Sequence, residues 1–371
     1  MKTRRTILVG LLALALVGFA VAGAEAEVRW YYVQAEDVVW DFTGGTGLNQ
    51  VHCMESTAPC GIPDPFCTTA DNAPCGFKKV RYVEYTDGTF ATPKPQPQWL
   101  GIIGPIIRAQ VGDVVKVHFR NRVTAPGTGE PNKDFGMHPH GFRYLKKDEG
   151  AFYTGVNTGK TFQNGGVNVP PGGEFIYTWR ADADSSPGPG DPSSLVWWYH
   201  SHVDEPAETN LGLLGPIIIY KKGFAKKVPA TPTVNNPNKS EIVGATDTEK
   251  EFVTVFFIFD ERAGDESGLM HGINGYIFGN LKGLVMNKND RVRWYLLGMG
   301  NEVDLHTPHW HGKVVTVGGT TNGQKTDVID LLPATMKTAT MVADNPGEWL
   351  FHCHVADHLV AGMITTFQIL P

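Results

Sequence analysis

Long apolar runs are scarce in this sequence. Beyond residue 24 no stretch is apolar and long enough to cross a bilayer. Helical periodicity is missing as well. No segment repeats apolar residues every three to four positions over the length of an ordinary helix, which excludes a helical bundle or coiled coil. Positive charge is in deficit, with a net charge of −6, and that argues against a nucleic-acid partner. Cysteine is rare, with five in 371 residues. Turn formers are plentiful instead: 43 Gly and 25 Pro separate short β-rich segments, the pattern of an all-β protein.

The N-terminus reads as an export signal. Lys2, Arg4 and Arg5 precede an uncharged run from Thr6 to Ala24, and Ala24-Glu25-Ala26 offers a small-x-small cleavage site. Residues 1–26 are therefore expected to be a signal peptide. Thr3-Arg4-Arg5-Thr6-Ile7-Leu8 has the form of a twin-arginine signal. An uncleaved anchor is the alternative, since the run nearly spans a bilayer. Either way the chain is expected in the periplasm, at the cell surface or secreted. Cys53, Cys60, Cys67 and Cys75 cluster in a loop rich in Pro and Gly. In an exported chain that spacing favours two disulfides over a structural metal knot.

The rest of the chain repeats itself. Strands are expected over Val28–Trp40, Lys79–Tyr85, Val114–Arg120, Phe252–Phe259 and Val292–Leu297. Residues 221–250 are rich in Lys, Pro, Asn and Thr and read as a linker. The expected boundaries are a first domain at 27–222, a linker at 223–249 and a second domain at 250–371. His138-Pro139-His140-Gly141 echoes His309-Trp310-His311-Gly312, and Tyr199-His200-Ser201-His202-Val203 echoes Phe351-His352-Cys353-His354-Val355. The repeat implies two β-sandwiches. It is also asymmetric: where the second half has His306, Cys353, His358 and Met363, the first has Phe135, Ser201 and, by counting, Pro206 and Leu213.

These residues carry copper chemistry. One thiolate, two imidazoles and a distant thioether form a blue-copper electron-transfer site, here Cys353, His306 and His358 with Met363 axial. The eight other motif histidines, His138, His140, His200, His202, His309, His311, His352 and His354, form four His-x-His pairs. Side chains alternate along a strand, so His352 and His354 point away from Cys353 and toward a second site. Eight imidazoles suit three coppers, giving four per chain.

The four motifs resemble those of the multicopper oxidases. Trp99–Pro105 (WLGIIGP), Tyr295–Glu302 (YLLGMGNE) and Asn345–Trp349 (NPGEW) are similar to the ceruloplasmin and hephaestin group within them. The resemblance implies two cupredoxin-like Greek-key domains and four-electron reduction of O₂ to water. It implies a type 2 copper on His138 and His309, and a type 3 pair on His140, His200, His202, His311, His352 and His354. It also implies a homotrimer whose clusters lie between the first domain of one chain and the second domain of the next. For the reducing substrate it points to Fe²⁺ or another metal ion held by Glu266, His271 and Asp357, and to Glu149 as an acid relaying protons to the cluster. A laccase-like oxidase of phenols is the alternative. A copper nitrite reductase fits less well, because it needs its blue copper in the first domain and a single three-His copper. An electron carrier would leave eight histidines idle.

Overall fold

The structure, a computed structural model, describes residues 26–51, 60–61, 76–124, 134–162, 166–261, 268–319 and 323–371. The expected signal segment, most of the cysteine loop and Glu266 lie outside the described residues. The architecture is the expected all-β one. Among the described residues the longest α-helix, Glu205–Leu211, has seven residues.

Four sheets stack face to face, two per sandwich. In the first sandwich the strand order of the outer sheet is 76–85, 28–41, 114–121, 174–180, 143–144, and that of the inner sheet is 107–110, 214–220, 194–200, 138–139. The second sandwich repeats both orders. Its first sheet runs 269–273, 250–260, 291–298, 336–342, 315–317, 324–326, and its second runs 285–287, 364–370, 347–353, 308–310. Strand directions repeat too. The parallel pair 28–41 with 114–121 reappears as 250–260 with 291–298, and 107–110 with 214–220 reappears as 285–287 with 364–370.

Alternation along each strand decides which layer each side chain fills. In Val114–Asn121 every second residue is buried, so Val115, Val117 and Phe119 face the first sandwich's own core while Lys116, His118 and Arg120 face outward. Lys250–Asp260 is instead apolar almost throughout, because both of its faces are covered. Phe252, Phe256 and Ile258 enter the core of the second sandwich. Val253, Val255, Phe257 and Phe259 enter a third core, where they meet Val196, Trp198, Ile218 and Tyr220 of the first sandwich. That middle core welds the two sandwiches into one stack.

A buried polar network lies at its edge. Glu251 accepts from Arg108 and from the hydroxyls of Tyr220 and Tyr295, each hydroxyl at 2.9 Å. Arg293 reaches Ser193 and Ser194 at 2.6 and 2.7 Å and pairs with Asp247.

The segment expected as a linker is partly ordered as a β-ribbon, Ala225–Pro229 against Ser240–Ala245. Ile242 and Ala245 enter the middle core, and the Asn238 side chain clamps both backbone groups of Trp30 at 2.8 Å. Its exposed lysines hide these few anchoring contacts from a reading by composition.

Candidate metal centre

The second sandwich builds one site from three elements. Strand Gly347–Cys353 ends on Cys353, which is fully buried. Its partner strand Pro308–Trp310 is preceded by His306, also fully buried. The short helix Ala356–Val360 supplies His358, 5% exposed. The ligand atoms of His306, Cys353 and His358 all lie within 4.8 Å of one another. Met363 closes the loop: its carbonyl accepts from the Cys353 N–H at 3.0 Å, and its own N–H donates to the His358 carbonyl at 2.9 Å.

The ring nitrogens are sorted for metal binding. His306 Nε2 lies 3.2 Å from the buried carboxylate of Asp304, which leaves His306 Nδ1 buried and without a partner. A buried nitrogen lone pair facing a thiol and a second imidazole is what a soft metal ion would satisfy. The Cys353 sulfur accepts from the Thr307 N–H at 3.3 Å and lies 3.7 Å from His358 Nδ1. Burial raises the Cys353 thiol above its usual range, so metal binding must expel its proton. Burial, with His306 and His271 nearby, lowers His358 to about 4, which keeps it neutral and able to ligate. Cys353, two histidines and Met363 fit copper as the sequence pattern requires.

The remaining eight histidines form two groups. In the first sandwich the ring of His138 lies 5.5, 5.5 and 5.2 Å from those of His140, His200 and His202. In the second, His309 lies 4.8, 5.3 and 5.2 Å from His311, His352 and His354. Four of these rings are locked through Nδ1 onto backbone carbonyls: His138 on Glu149 (2.7 Å), His200 on Ser201 (2.9 Å), His309 on Asp327 (2.9 Å) and His352 on Cys353 (2.7 Å). That fixes the tautomer and turns Nε2 toward the group's interior. Nε2 atoms then approach closely, His140 to His200 at 3.2 Å and His311 to His352 at 3.0 Å. Burial lowers His140 to about 4 and His200 to about 3. It also lowers His138, His311 and His352. Neutral rings with inward lone pairs fit a copper cluster.

The two groups belong to different layers. One sits on the inner sheet of the first sandwich, the other on the far sheet of the second. Two sheet spacings, roughly 20 Å, separate those layers.

Glycine explains the fourth position of each His-x-His-Gly motif. Gly141 and Gly312 adopt φ of +74° and +66°, and a Cβ there would lie 2.4 Å from the Trp197 ring and 2.8 Å from the Trp349 ring. The indole under each turn sets the height of the preceding histidines.

Backbone hydrogen bonds locate the degenerate counterpart in the first sandwich. Ser201 N–H to Leu213 carbonyl (3.0 Å) matches Cys353 to Met363, and Gly136 N–H to Ser201 Oγ (3.1 Å) matches Thr307 to Cys353. Leu213 N–H to Glu208 carbonyl (3.1 Å) matches Met363 to His358. Glu208, not Pro206, therefore stands where His358 stands, because the first-half loop is two residues longer. Phe135, Ser201, Glu208 and Leu213 give that site no copper ligand set.

The substrate-side residues are placed unevenly. His271 lies beside His358, ring centroids 5.1 Å apart. Its Nδ1 is tied to the Leu269 carbonyl at 3.2 Å, and burial lowers its pKa. Asp357 is exposed and bears electrostatically on both His271 and His358. Glu149 offers His138 its carbonyl, while its carboxylate is turned to Lys146 and Tyr153. Residues without a motif were invisible in the sequence. These are Asp304 behind His306, Glu205 beside His202, and Lys79, buried with Glu261.

Known proteins resemble this chain in sequence and fold. Two multicopper oxidase family profiles match residues 100–223 and 236–371. The chain is 36% identical to ceruloplasmin of Rattus norvegicus over 92% of its own length and 31% of that protein. It is 35% identical to ferroxidase HEPHL1 of Homo sapiens over 79% of its length and 25% of that protein. It thus spans about a third or less of these relatives. A crystal structure of a multicopper oxidase, 17% identical, superposes with a TM-score of 0.58 over 92% of this chain and 89% of the other. That likeness concerns the fold. The sequence match, the repeated sandwiches and the histidine–cysteine groups together make this chain a member of the multicopper oxidase family.

Proposed function

We propose that the protein is an exported oxidase that takes electrons singly from Fe²⁺ or another metal ion and reduces O₂ to water. Bound copper would supply the redox chemistry: one ion on His306, Cys353, His358 and Met363, one on His138 and His309, and two on His140, His200, His202, His311, His352 and His354. The observation that carries this reading is the strand end His352-Cys353-His354. It places a thiol in one copper-fitting group and two imidazoles in another, one peptide away. The His352 ring also donates to the Cys353 carbonyl, a short bonded route between them.

The two histidine groups of one chain lie on separate layers, and each alone offers half of a cluster. This supports a homotrimer in which the first-sandwich group of one chain faces the second-sandwich group of its neighbour, with three clusters per ring. His271 and the exposed Asp357 flank His358 and suit a cation. Glu266 would complete that site, and Glu149 would relay protons to the cluster. Cleavage after residue 26, export by a twin-arginine route, disulfides among Cys53, Cys60, Cys67 and Cys75, and domains at 27–222 and 250–371 joined by 223–249 complete the proposal.

One observation favours a phenol-like donor instead. Val303 and Leu305 beside His306, Val360 beside His358, and Leu332 next to the Leu331 that bridges to His306 are 46 to 78% exposed. Copper count with O₂ uptake on Fe²⁺ and on a phenol separates the readings. Four coppers per chain with Fe²⁺-driven uptake is expected. The double variant Glu266→Ala, Asp357→Ala should raise KM for Fe²⁺ and spare the phenol. Equal loss on both donors would remove the metal-ion site, and two coppers with nitrite turnover would remove the oxidase.

A further inference from the structure

From His140 to the strand Glu174–Arg180 the chain takes 34 residues, but from His311 to the matching strand Met336–Val342 it takes 25. The second sandwich folds its segment into the large sheet, as Val315–Val317 and Gln324–Thr326. The first instead raises a separate ribbon, Tyr153–Thr154 against Thr161–Phe162, closed where the Gly155 N–H meets the Lys160 carbonyl at 2.8 Å. Among the described residues each ribbon strand pairs only with the other. A two-stranded ribbon standing alone is marginal in water. This one also displays apolar groups: Leu145, Phe152, Tyr153 and Val156 are 68, 40, 39 and 98% exposed. The Lys146 ammonium lies 3.9 Å from the Tyr153 ring centre, and the Tyr153 hydroxyl donates to Glu149. These contacts hold the ribbon against the turn that carries Leu145. Single exposed apolar residues need no explanation, but four within one such excursion mark a surface that expects cover.

The root of the excursion is fixed to the first histidine group. The Glu149 carbonyl accepts from His138 Nδ1 at 2.7 Å, the Tyr144 ring lies 6.0 Å from the His138 ring, and Ala151 forms a bridge to His202. Leu145 and the ribbon therefore rim this half-site. An ion shared with a second chain, through imidazole bonds of about 2.0–2.1 Å, holds nitrogens of the two chains within roughly 4 Å of each other. The surface around His138 and His202 must then meet that chain. This identifies the cover as a second copy of the same chain, arriving with its His309 and His311 face.

We infer that Leu145 and the ribbon 152–162 are the docking element that seats the second sandwich of a neighbouring chain over the first histidine group. The inference rests on the two-chain cluster reading above. The test is the mass of the purified, copper-loaded full-length protein by light scattering. Copper is counted per chain, and the blue absorbance band reports the second-sandwich site separately. The parent should be a trimer with about four coppers per chain. Leu145→Glu with Val156→Glu places two charges in the seat, which docking would have to bury. That double variant should have a third of the parent's mass and keep about one copper per chain, with its blue band unchanged. Both side chains are exposed, so circular dichroism should match the parent and show that both sandwiches fold. A variant that stays trimeric with the parent's copper count overturns the docking role. If its KM for Fe²⁺ or a phenol has risen, the ribbon receives the donor instead. A parent that is monomeric yet holds about four coppers overturns the two-chain cluster itself, and the docking role with it.

Discussion

Asp304 is the residue whose loss should be felt most widely. It is fully buried, and its carboxylate accepts the Ile258 N–H at 2.8 Å, the Asn301 N–H at 3.0 Å and His306 Nε2 at 3.2 Å. Asp304→Ala would leave the Ile258 N–H and His306 Nε2 without an acceptor in the core, while the Asn301 N–H sits on an exposed residue and can turn to water. A buried donor deprived of its partner costs about 1–3 kcal/mol. The two buried donors together amount to about 2–6 kcal/mol. Asp304→Asn keeps the shape but turns an NH₂ toward at least one donor, so about 2–3 kcal/mol is expected. The second consequence is local. His306 loses the partner that holds its Nδ1 toward Cys353, and copper affinity at the blue site should fall about 10- to 100-fold. Urea unfolding of the metal-free protein measures the first effect, and copper titration followed at the blue band measures the second. An Asp304→Ala protein within about 1 kcal/mol of the parent and with unchanged copper affinity would refute the reasoning.

Other perturbations have equally specific outcomes. Glu261→Ala strands the Lys79 ammonium, 1% exposed between Phe42 and Phe259. It should cost about 3–5 kcal/mol in chemical denaturation, and a loss under about 1 kcal/mol would show that Lys79 escapes to water. Gly141→Ala pays both for a left-handed backbone and for a Cβ in the Trp197 ring, whereas Gly159→Ala, at φ +61° with nothing within 4 Å, pays only for the backbone. Thermal melts should place Gly141→Ala at least about 1 kcal/mol below Gly159→Ala; equal melts would mean that the indole yields. The metal-free protein should also lose stability on acidification. His140 and His358 are held near 4 when folded but protonate near 6.5 when unfolded. The unfolded state then binds more protons, so stability present above about pH 6.5 falls as the pH drops toward 4. Flat unfolding curves between pH 7 and 4.5 would contradict this.

Much of this was legible in the sequence because the chemistry there is periodic. A His-x-His pair must share one strand face, and Cys353 between two histidines must face the other way, so the two-sided site follows from spacing alone. The repeat was equally legible: strand orders, parallel pairs and even the Ser201–Leu213 hydrogen bond reproduce those of the second half. What stayed hidden lacks a period. Asp304 is a single carboxylate whose role depends on the direction of its side chain. The ribbon at 225–245 is held by Ile242, Ala245 and Asn238, too few residues to outweigh a composition typical of a linker. Lys250–Asp260 was readable as a strand, but only the stack shows why its two faces feed different cores.

The central claim is that each cluster is built by two chains. Complementation tests it most directly. One chain carries His138→Ala and His140→Ala, the other His352→Ala and His354→Ala, and O₂ uptake is measured for each alone and for the two co-expressed. Neither alone should consume O₂. Together they should recover uptake, because an intact first group on one chain meets an intact second group on its neighbour. A co-expressed pair as inactive as its components would contradict the account.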